Sequence, residues 1–239
     1  MPLIDYQVSE GNEGEDEQKL IDLLIEESWL KNKRIIEAFK KIKRADFLPE
    51  ELAETLSHLA PRSASPHEVM KDLAELNEAL PIGFGQTISQ PLVVAFMIEQ
   101  LQPQPGDKIL DVGSGSGWTT ALLAEIIGPK GKVIAIEVIP ELMEFGKKNV
   151  EKYNFIEKGL VEFICADGSK GYKKAAPFDK ILVSASAQEL SSAWKEQLKI
   201  GGRIVTPMGS SIWLFIKKSE KEFEEVEYPG FAFVPLITK

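Results

Sequence analysis

A group of closely spaced glycines near the middle of the chain could bind a nucleotide. The segment reads Gly106-Asp-Lys-Ile-Leu-Asp-Val-Gly-Ser-Gly-Ser-Gly117. Its apolar residues Ile109, Leu110 and Val112 predict the end of a buried strand, and a helix over residues 118–127 is expected to start directly from the turn. Glycines let the backbone approach a ligand closely, and the free N–H groups of a helix start lie nearby. A turn that only joins strand to helix is the alternative, but the order of the surrounding elements favours binding.

The spacing of these glycines indicates which ligand to expect. They follow the pattern Gly-x-Gly-x-Gly, whereas a dinucleotide fingerprint reads Gly-x-Gly-x-x-Gly and cradles a pyrophosphate. The observed pattern leaves less room for a pyrophosphate and suits a nucleoside with a short charged tail. The sequence therefore disfavours a nicotinamide-dependent dehydrogenase.

Two further predicted strands end in polar residues that could line the same site. The apolar segment 132–137 ends at Glu137, whose carboxylate could accept hydrogen bonds from both hydroxyls of a ribose. Its offset from the glycine turn is that of a βαβ unit; a solvated carboxylate that caps the next helix is the alternative. The segment 160–165 ends before Ala166-Asp167-Gly168. These strand ends should meet at one edge of a parallel sheet, where ligands bind in such folds.

The composition is that of an ordinary globular protein and excludes several classes. The chain has 239 residues, of which 44% are hydrophobic, and a net charge of −9. Nucleic-acid binding requires a basic face, and no apolar segment reaches the roughly 20 residues of a membrane span. The N-terminus lacks the basic-then-apolar layout of a signal peptide. We expect a cytoplasmic protein without nucleic-acid or membrane partners.

Few residues are suited to metal or nucleophilic chemistry. The single cysteine, Cys165, lies in an apolar strand and is expected in the core, so an intrachain disulfide is impossible and no metal site is predicted. The two histidines, His58 and His67, lie outside the motifs and are expected to be structural or solvated.

The elements predict an α/β fold with a doubly wound, mostly parallel seven-stranded sheet. The organisation comprises a flexible acidic lead-in (1–18), a helical N-terminal region (19–80) and a sheet domain (81–239). Helices are expected near 19–32, 32–43, 50–60, 67–76 and 91–101, with a linker at 61–66. Strands are expected near 107–112, 132–137, 160–165, 179–184, 202–206, 211–217 and 231–236. Helices should link the first five strands, and the last two should form an antiparallel hairpin at the sheet edge.

A second unusual segment lies just before the helix that Pro91 opens. It reads Leu80-Pro-Ile-Gly-Phe-Gly-Gln-Thr-Ile-Ser-Gln-Pro91 and predicts a loop that presents hydroxyl and backbone N–H groups to a cleft. The residues alone leave another interpretation open, because Ser89 or Gln90 could simply cap the helix.

Several segments together resemble the protein-L-isoaspartate O-methyltransferase family. The resemblance rests on residues 80–91, 109–118, 166–181 and 233–236, and residues 44–49 are similar to the family's Arg-x-x-Phe-Val-Pro. It implies an S-adenosylmethionine-dependent methyltransferase fold over 81–239, with S-adenosylhomocysteine as product. The implied reaction methylates the free carboxylate of L-isoaspartyl residues in age-damaged proteins and peptides. The ester then collapses to a succinimide that can reopen as normal aspartyl.

The resemblance also implies roles for individual residues. Cofactor binding would fall to Gly113, Ser114, Gly115, Glu137, Asp167 and Gly168. Ser89 matches the catalytic serine, and contacts with the isoaspartyl substrate would come from Thr87, Ile88, Phe233, Val234, Pro235 and Leu236. A carboxylate is already a nucleophile at neutral pH, so this chemistry needs no strong general base.

The sequence departs from the family pattern at four positions. Where the family usually has Ala-Tyr-x-Asp, this chain has Ala74-Glu75-Leu76-Asn77. Asn77 can form hydrogen bonds but supplies no negative charge. Trp118 stands where tyrosine is common, and Ala232 where arginine is frequent. These departures leave two alternatives open: a diverged methyltransferase acting on another carboxylate or a small molecule, and a non-catalytic module that recognises isoaspartyl residues.

Overall fold

The computed structural model describes residues 15–56 and 65–239, in which a helical start is followed by alternating strands and helices. The helices are α1 (Glu15–Glu26), α2 (Lys33–Lys41), α3 (Glu50–Leu56), α4 (Pro66–Glu75), α5 (Pro91–Leu101), α6 (Trp118–Ile127), α7 (Pro140–Glu151) and α8 (Ser192–Gln197). Short 3₁₀ helices lie at Arg44–Phe47 and Gly168–Lys170. The strands are β1 (Leu80–Gly83), β2 (Gln86–Ile88), β3 (Lys108–Val112), β4 (Lys132–Glu137), β5 (Val161–Cys165), β6 (Phe178–Val183), β7 (Leu198–Met208), β8 (Ser211–Lys217) and β9 (Phe223–Pro229).

Seven of these strands form one sheet in the order β5-β4-β3-β6-β7-β8-β9. The strands from β5 to β7 are parallel, and β8 and β9 are antiparallel. The central parallel strands are largely apolar because helices cover both faces of such a sheet. This confirms the predicted α/β class and the mostly parallel seven-stranded sheet. Since the chain leaves β3 towards β4 and returns on its other side as β6, a crevice forms at the carboxyl ends of these strands.

Two details of the predicted sheet are wrong. The last strand is β9 at 223–229, and the predicted strand at 231–236 is an irregular segment. The glutamates of β9 favoured a loop between two strands in the sequence interpretation. An edge strand accommodates them on its solvent-exposed face, while Val226 and Tyr228 pack against the core. The link between β5 and β6 contains only the 3₁₀ helix at 168–170, where a full helix was expected.

Among the N-terminal helices, α2 packs against α6 and α5, and residues of α1, α2 and α4 share a hydrophobic core with the sheet. The first helix spans 15–26, so it begins earlier and ends sooner than predicted, and residues 15–18 of the predicted lead-in are helical. Residues 1–14 of that lead-in lie outside the described residues. The helices expected near 50–60 and 67–76 are present in their described parts as α3 and α4. The domain boundary at residue 80 stays a prediction.

The segment predicted as a loop before α5 is in fact a β-hairpin. Strands β1 and β2 pair antiparallel and are joined by Phe84 and Gly85. Both of these residues have positive φ, 53° and 71°, which is typical of the tight turns that suit the twist of a two-residue hairpin. The loop prediction failed because this segment's glycines and prolines obscure the strands.

Other predictions concern individual side chains. Cys165 is exposed rather than buried, because it ends β5, the outer strand of the sheet. His67 is exposed on α4, as expected, and His58 lies outside the described residues together with 57–64, which include most of the predicted linker. No helix in the described parts of the chain is long and apolar enough to cross a membrane.

Candidate active site

A cleft lies at the carboxyl ends of β3, β4 and β6. Its volume is about 520 Å³ including the open mouth, which is in the range of small-molecule sites. Its walls come from the hairpin, the glycine turn, the strand ends and the C-terminal segment. The lining residues are Ile82, Gln86, Thr87, Val112, Gly113, Gly115, Ile136, Glu137, Val138, Ile139, Ala166, Gly168, Ser184, Ala185, Val234, Pro235, Leu236 and Ile237. Several predicted site residues therefore meet in one cleft.

The glycine turn is anchored to the end of β4. The N–H groups of Gly113 and Ser114 donate to the Ile136 carbonyl at 2.9 and 3.1 Å. The Gly115 N–H donates to Glu137 Oε2 at 3.0 Å. Gly113 and Gly115 line the cleft with φ values of +75° and +50°, which other residues rarely adopt. Ser114 is not among the lining residues, and it is 5% exposed.

The third glycine of the motif, Gly117, is required by packing rather than by a ligand. A Cβ on Gly117 would lie 2.6 Å from the Gly146 carbonyl oxygen of α7. Close packing of the turn against α7 therefore requires glycine at this position. For Gly117, the structural explanation is sufficient without a ligand.

We expect Gly115→Ala to weaken binding of the S-adenosylmethionine that the resemblance implies by about 5- to 30-fold, because left-handed strain of roughly 1–2 kcal/mol would distort the turn. A Cβ there would also lie 3.3 Å from Ile82 Cδ1 on the opposite wall. Calorimetric titration would measure the affinity. Gly209→Ala is the matched control, since Gly209 has a φ of +60° with nothing within 4 Å and lies between β7 and β8. Equal affinities for the two variants would contradict a role of Gly115 in binding.

Glu137 is a buried carboxylate that organises the floor of the cleft. It is 6% exposed. Its Oε1 accepts from the N–H groups of Val138 and Ile139 at 2.9 and 3.1 Å, while Oε2 accepts from Gly115. The carboxylate does approach the start of α7, as the capping alternative proposed, but it is not solvated. It also ties β4 to the glycine turn, and a carboxylate has about four acceptor positions, so one remains for a ligand.

A second buried acid, Asp111 on β3, was not identified from the sequence. It is fully buried, and its Oδ2 accepts from Thr120 Oγ1 at 2.5 Å. Its Oδ1 has no hydrogen-bond partner within the described chain. Burial, with a smaller contribution from the negative charge of Glu137, raises the pKa of Asp111 to about 7. The signal that could have revealed it is an acidic residue within an otherwise apolar strand.

Asp167 and Gly168 follow β5 but are placed differently. Gly168 lines the cleft, and a Cβ on it would lie 2.5 Å from Val112 Cγ1. Asp167 is not on the lining: Oδ1 accepts from Ser169, and Oδ2 accepts from the Lys239 N–H at 3.0 Å. Burial alone would raise the pKa of Asp167, but these hydrogen bonds outweigh it and lower the pKa. Asp167 thus attaches Lys239 to the segment that follows β5.

The C-terminal segment forms another wall of the cleft. The Ser186 N–H donates to the Val234 carbonyl at 2.8 Å, and the Leu236 N–H donates to the Ser186 carbonyl at 2.9 Å. These bonds attach the segment to the chain that follows β6. Phe233 is absent from the lining, and its side chain packs against the hydrophobic core.

The hairpin contributes Thr87 to the cleft, whereas Ser89 is not on the lining. Ile88 is 3% exposed and is likewise not on the lining. The capping alternative for this segment is wrong: Gln90 forms no side-chain cap, and no hydrogen bond of the Ser89 hydroxyl occurs within the described residues. Asn77 caps the helix instead, because its Oδ1 accepts from the Leu92 N–H at 3.0 Å.

Known proteins of one family match the chain over nearly its whole length. A sequence model of the family described as protein-L-isoaspartate(D-aspartate) O-methyltransferase matches residues 15–239. A protein-L-isoaspartate O-methyltransferase of Methanopyrus kandleri is 39% identical over 224 residues, covering 92% of this chain and 90% of the relative.

Solved structures are similar over the same extent. A protein-L-isoaspartate O-methyltransferase superimposes with a TM-score of 0.76 at 26% identity over 92% of this chain, which spans 65% of that longer chain. A Plasmodium falciparum chain, described as a candidate enzyme of the same kind and solved with S-adenosyl-L-homocysteine, has a TM-score of 0.78 at 20% identity, with 93% of this chain and 99% of that chain covered. At 20% identity, the similarity to the Plasmodium falciparum structure shows a shared fold. From the motifs, the cleft and these matches, we conclude that the chain belongs to the protein-L-isoaspartate O-methyltransferase family.

Proposed function

We propose that the cleft binds S-adenosylmethionine and that the enzyme transfers its methyl group to the free carboxylate of L-isoaspartyl residues in age-damaged proteins and peptides. The observation that carries this proposal is the meeting of motif segments far apart in the sequence. The glycine turn, Glu137, Thr87 and the segment 234–237 all line one cleft at the switch point of the sheet. Family membership supplies the substrate class.

The residues of the cleft suit this cofactor. Glu137 offers its remaining acceptor position to a ribose hydroxyl, as acids at this position do in nucleotide-binding folds. Ile136 and Ala166 offer an apolar wall to the adenine, and Gly168 lines the cleft beside them. Gly113 and Gly115 present bare backbone to the methionine portion. S-adenosylhomocysteine would occupy the same contacts as product.

The remaining residues must align the acceptor carboxylate and exclude water. Bound S-adenosylmethionine supplies a methyl carbon that bonds to the carboxylate oxygen as the carbon–sulfur bond breaks, giving S-adenosylhomocysteine and a methyl ester. The Thr87 hydroxyl on the cleft wall can orient the carboxylate without neutralising it. Ser89 lies two positions further along an extended segment, which places it on the same side as Thr87. Val234 and Leu236 supply apolar surface that keeps water from the reacting atoms.

The deciding experiment is methyl transfer from labelled S-adenosylmethionine to a matched pair of peptides, one isoaspartyl and one aspartyl. We expect base-labile label on the isoaspartyl peptide alone. Label on neither peptide with cofactor binding intact would instead support a diverged methyltransferase or a recognition module. Equal labelling of both peptides would contradict isoaspartyl selectivity.

We expect Ser89→Ala to lower the turnover of the isoaspartyl peptide at least about tenfold, the order expected when one orienting donor is removed. Affinity for S-adenosylmethionine should remain within a factor of about two, because Ser89 is not part of the cofactor wall. Steady-state kinetics and calorimetry would measure both quantities. Ser210→Ala, in the exposed turn between β7 and β8, is the control. Unchanged turnover in Ser89→Ala would remove Ser89 from the proposed machinery.

Three parts of the initial interpretation stay predictions: a cytoplasmic location, the absence of nucleic-acid and membrane partners, and the absence of a metal. The negative net charge of −9 supports the second of these.

A further inference from the structure

Arg44 is a buried cation to which the proposed reaction assigns no role. It belongs to the motif at 44–49 and lies in a 3₁₀ helix, where it is 5% exposed. Burying a guanidinium is costly unless hydrogen bonds and charges compensate. Burial lowers the pKa of Arg44 to about 9, an effect that the charge of Glu75 opposes.

The guanidinium holds the two ends of the β1–β2 hairpin together. Its Nη2 donates to the Glu78 carbonyl at 2.6 Å and to the Ser89 carbonyl at 3.2 Å. Glu78 lies two residues before β1, and Ser89 directly follows β2. The hairpin that presents Thr87 to the cleft is therefore closed at its base by one side chain.

The second terminal nitrogen of the guanidinium binds the segment before the hairpin, so that Arg44 acts as a clamp. Arg44 Nη1 donates to the carbonyls of Ala74 and Leu76 at 3.1 and 2.9 Å. The same segment contains Asn77, which caps α5. Arg44 thus positions the segment that leads into the hairpin and the residue that follows it.

The same guanidinium also contacts Trp118, which follows the glycine turn of the cleft. Arg44 Cζ lies 5.5 Å from the centroid of the Trp118 ring, a distance typical of a cation–π contact. Trp118 is the first residue of α6 and directly follows the glycine turn. Its ring is 3% exposed and also contacts Phe39 edge-on. One side chain therefore contacts both the base of the β1–β2 hairpin, which we call the acceptor hairpin because it presents Thr87 to the cleft, and the helix that follows the glycine turn.

We propose that Arg44 is a positioning residue that sets the placement of the acceptor hairpin relative to the glycine turn. This inference rests on the proposed function, because it concerns the alignment of acceptor carboxylate and methyl group. Methyl transfer depends on such alignment, and a displacement of about 1 Å can cost about 100-fold in rate. The four carbonyl contacts require a planar fork, so lysine cannot replace arginine here without loss.

The test compares Arg44→Lys with Arg203→Lys. Arg203 is a matched control, because its Nη1 also donates to a backbone carbonyl, that of Gln100 at 2.7 Å, but on β7 away from the cleft. We expect Arg44→Lys to lower kcat for an isoaspartyl peptide by about 100-fold, with S-adenosylmethionine affinity within about threefold of wild type. Arg203→Lys should keep kcat within about twofold. Hydrogen exchange should become faster at 80–88 in Arg44→Lys alone.

The outcomes separate this inference from the proposed function. If wild type does not methylate the isoaspartyl peptide, the proposed function fails, while faster exchange of the hairpin would still support the clamp. If wild type is active and kcat falls equally in both lysine variants, or only in proportion to their loss of thermal stability, the positioning role is overturned. Loss of cofactor affinity with unchanged kcat would overturn it as well. Should Arg44→Lys not fold, Arg44→Gln removes the buried charge and is expected to show the same fall in kcat.

Discussion

Replacing Glu137 with glutamine is expected to weaken S-adenosylmethionine binding by about 100-fold or more, since hydrogen bonds to a charged group contribute about 1.5–3 kcal/mol each. The carboxylate accepts three backbone N–H groups, from Val138 and Ile139 on one oxygen and from Gly115 on the other. A glutamine amide has one oxygen, so its NH₂ group would face at least one of these donors. The variant thus loses the charge that a ribose would meet and also the bond that holds the glycine turn.

Calorimetric titration of the cofactor would measure this loss. Glu141→Gln is the matched control, because Glu141 is an exposed carboxylate in the first turn of α7, close to Glu137 in the sequence. We expect the control to bind S-adenosylmethionine as wild type does, and thermal unfolding would verify that both variants are folded. Similar affinities for Glu137→Gln and Glu141→Gln would mean that Glu137 only supports the local backbone.

The elements around the cofactor cleft are predictable because their sequence signals are local. Helices α5 and α6 occupy the predicted residues, since a proline opens one and a glycine turn precedes the other. The parallel strands β3 and β4 are mostly apolar and bounded by turns, which predicts strands buried on both faces. Strand β9 was missed because its glutamates face solvent along a sheet edge, and a charged edge strand resembles a loop in sequence.

The site is less predictable, because its side chains depend on partners far away in the sequence. The position of Glu137 at a strand end could be inferred, but its bond to Gly115 could not. Asp167 binds Lys239 rather than lining the cleft, and no sequence pattern links these two residues. Asn77 departs from the family's usual acid, yet an amide oxygen caps α5 as a carboxylate could. This departure is therefore compatible with a working hairpin.

Asp111→Asn is expected to make the protein more stable at neutral pH and to leave its stability nearly unchanged near pH 4. Burial raises the pKa of Asp111 from 3.8 to about 7, so the folded protein binds more protons than the unfolded chain between these two values. Stability from this group is complete below the unfolded pKa and is lost as the pH rises through the folded pKa. A shift of this size corresponds to about 4 kcal/mol. Asparagine stays neutral and can still accept from Thr120 through its amide oxygen.

Denaturant unfolding of cofactor-free protein at a series of pH values would measure this effect as the difference between variant and wild type. Taking the difference removes the contributions of Asp107, whose pKa is also raised by burial, and of Asp179, whose pKa is lowered because bonds from Lys199 and Lys108 outweigh its burial. The difference should grow from near zero at pH 4 to about 4 kcal/mol above pH 7. A difference that does not vary with pH would show that Asp111 has the same pKa in the folded and the unfolded protein, so that burial does not favour its neutral form. Asp111 lies two residues before Gly113, so this buried acid belongs to the strand end that leads into the glycine turn of the cofactor cleft.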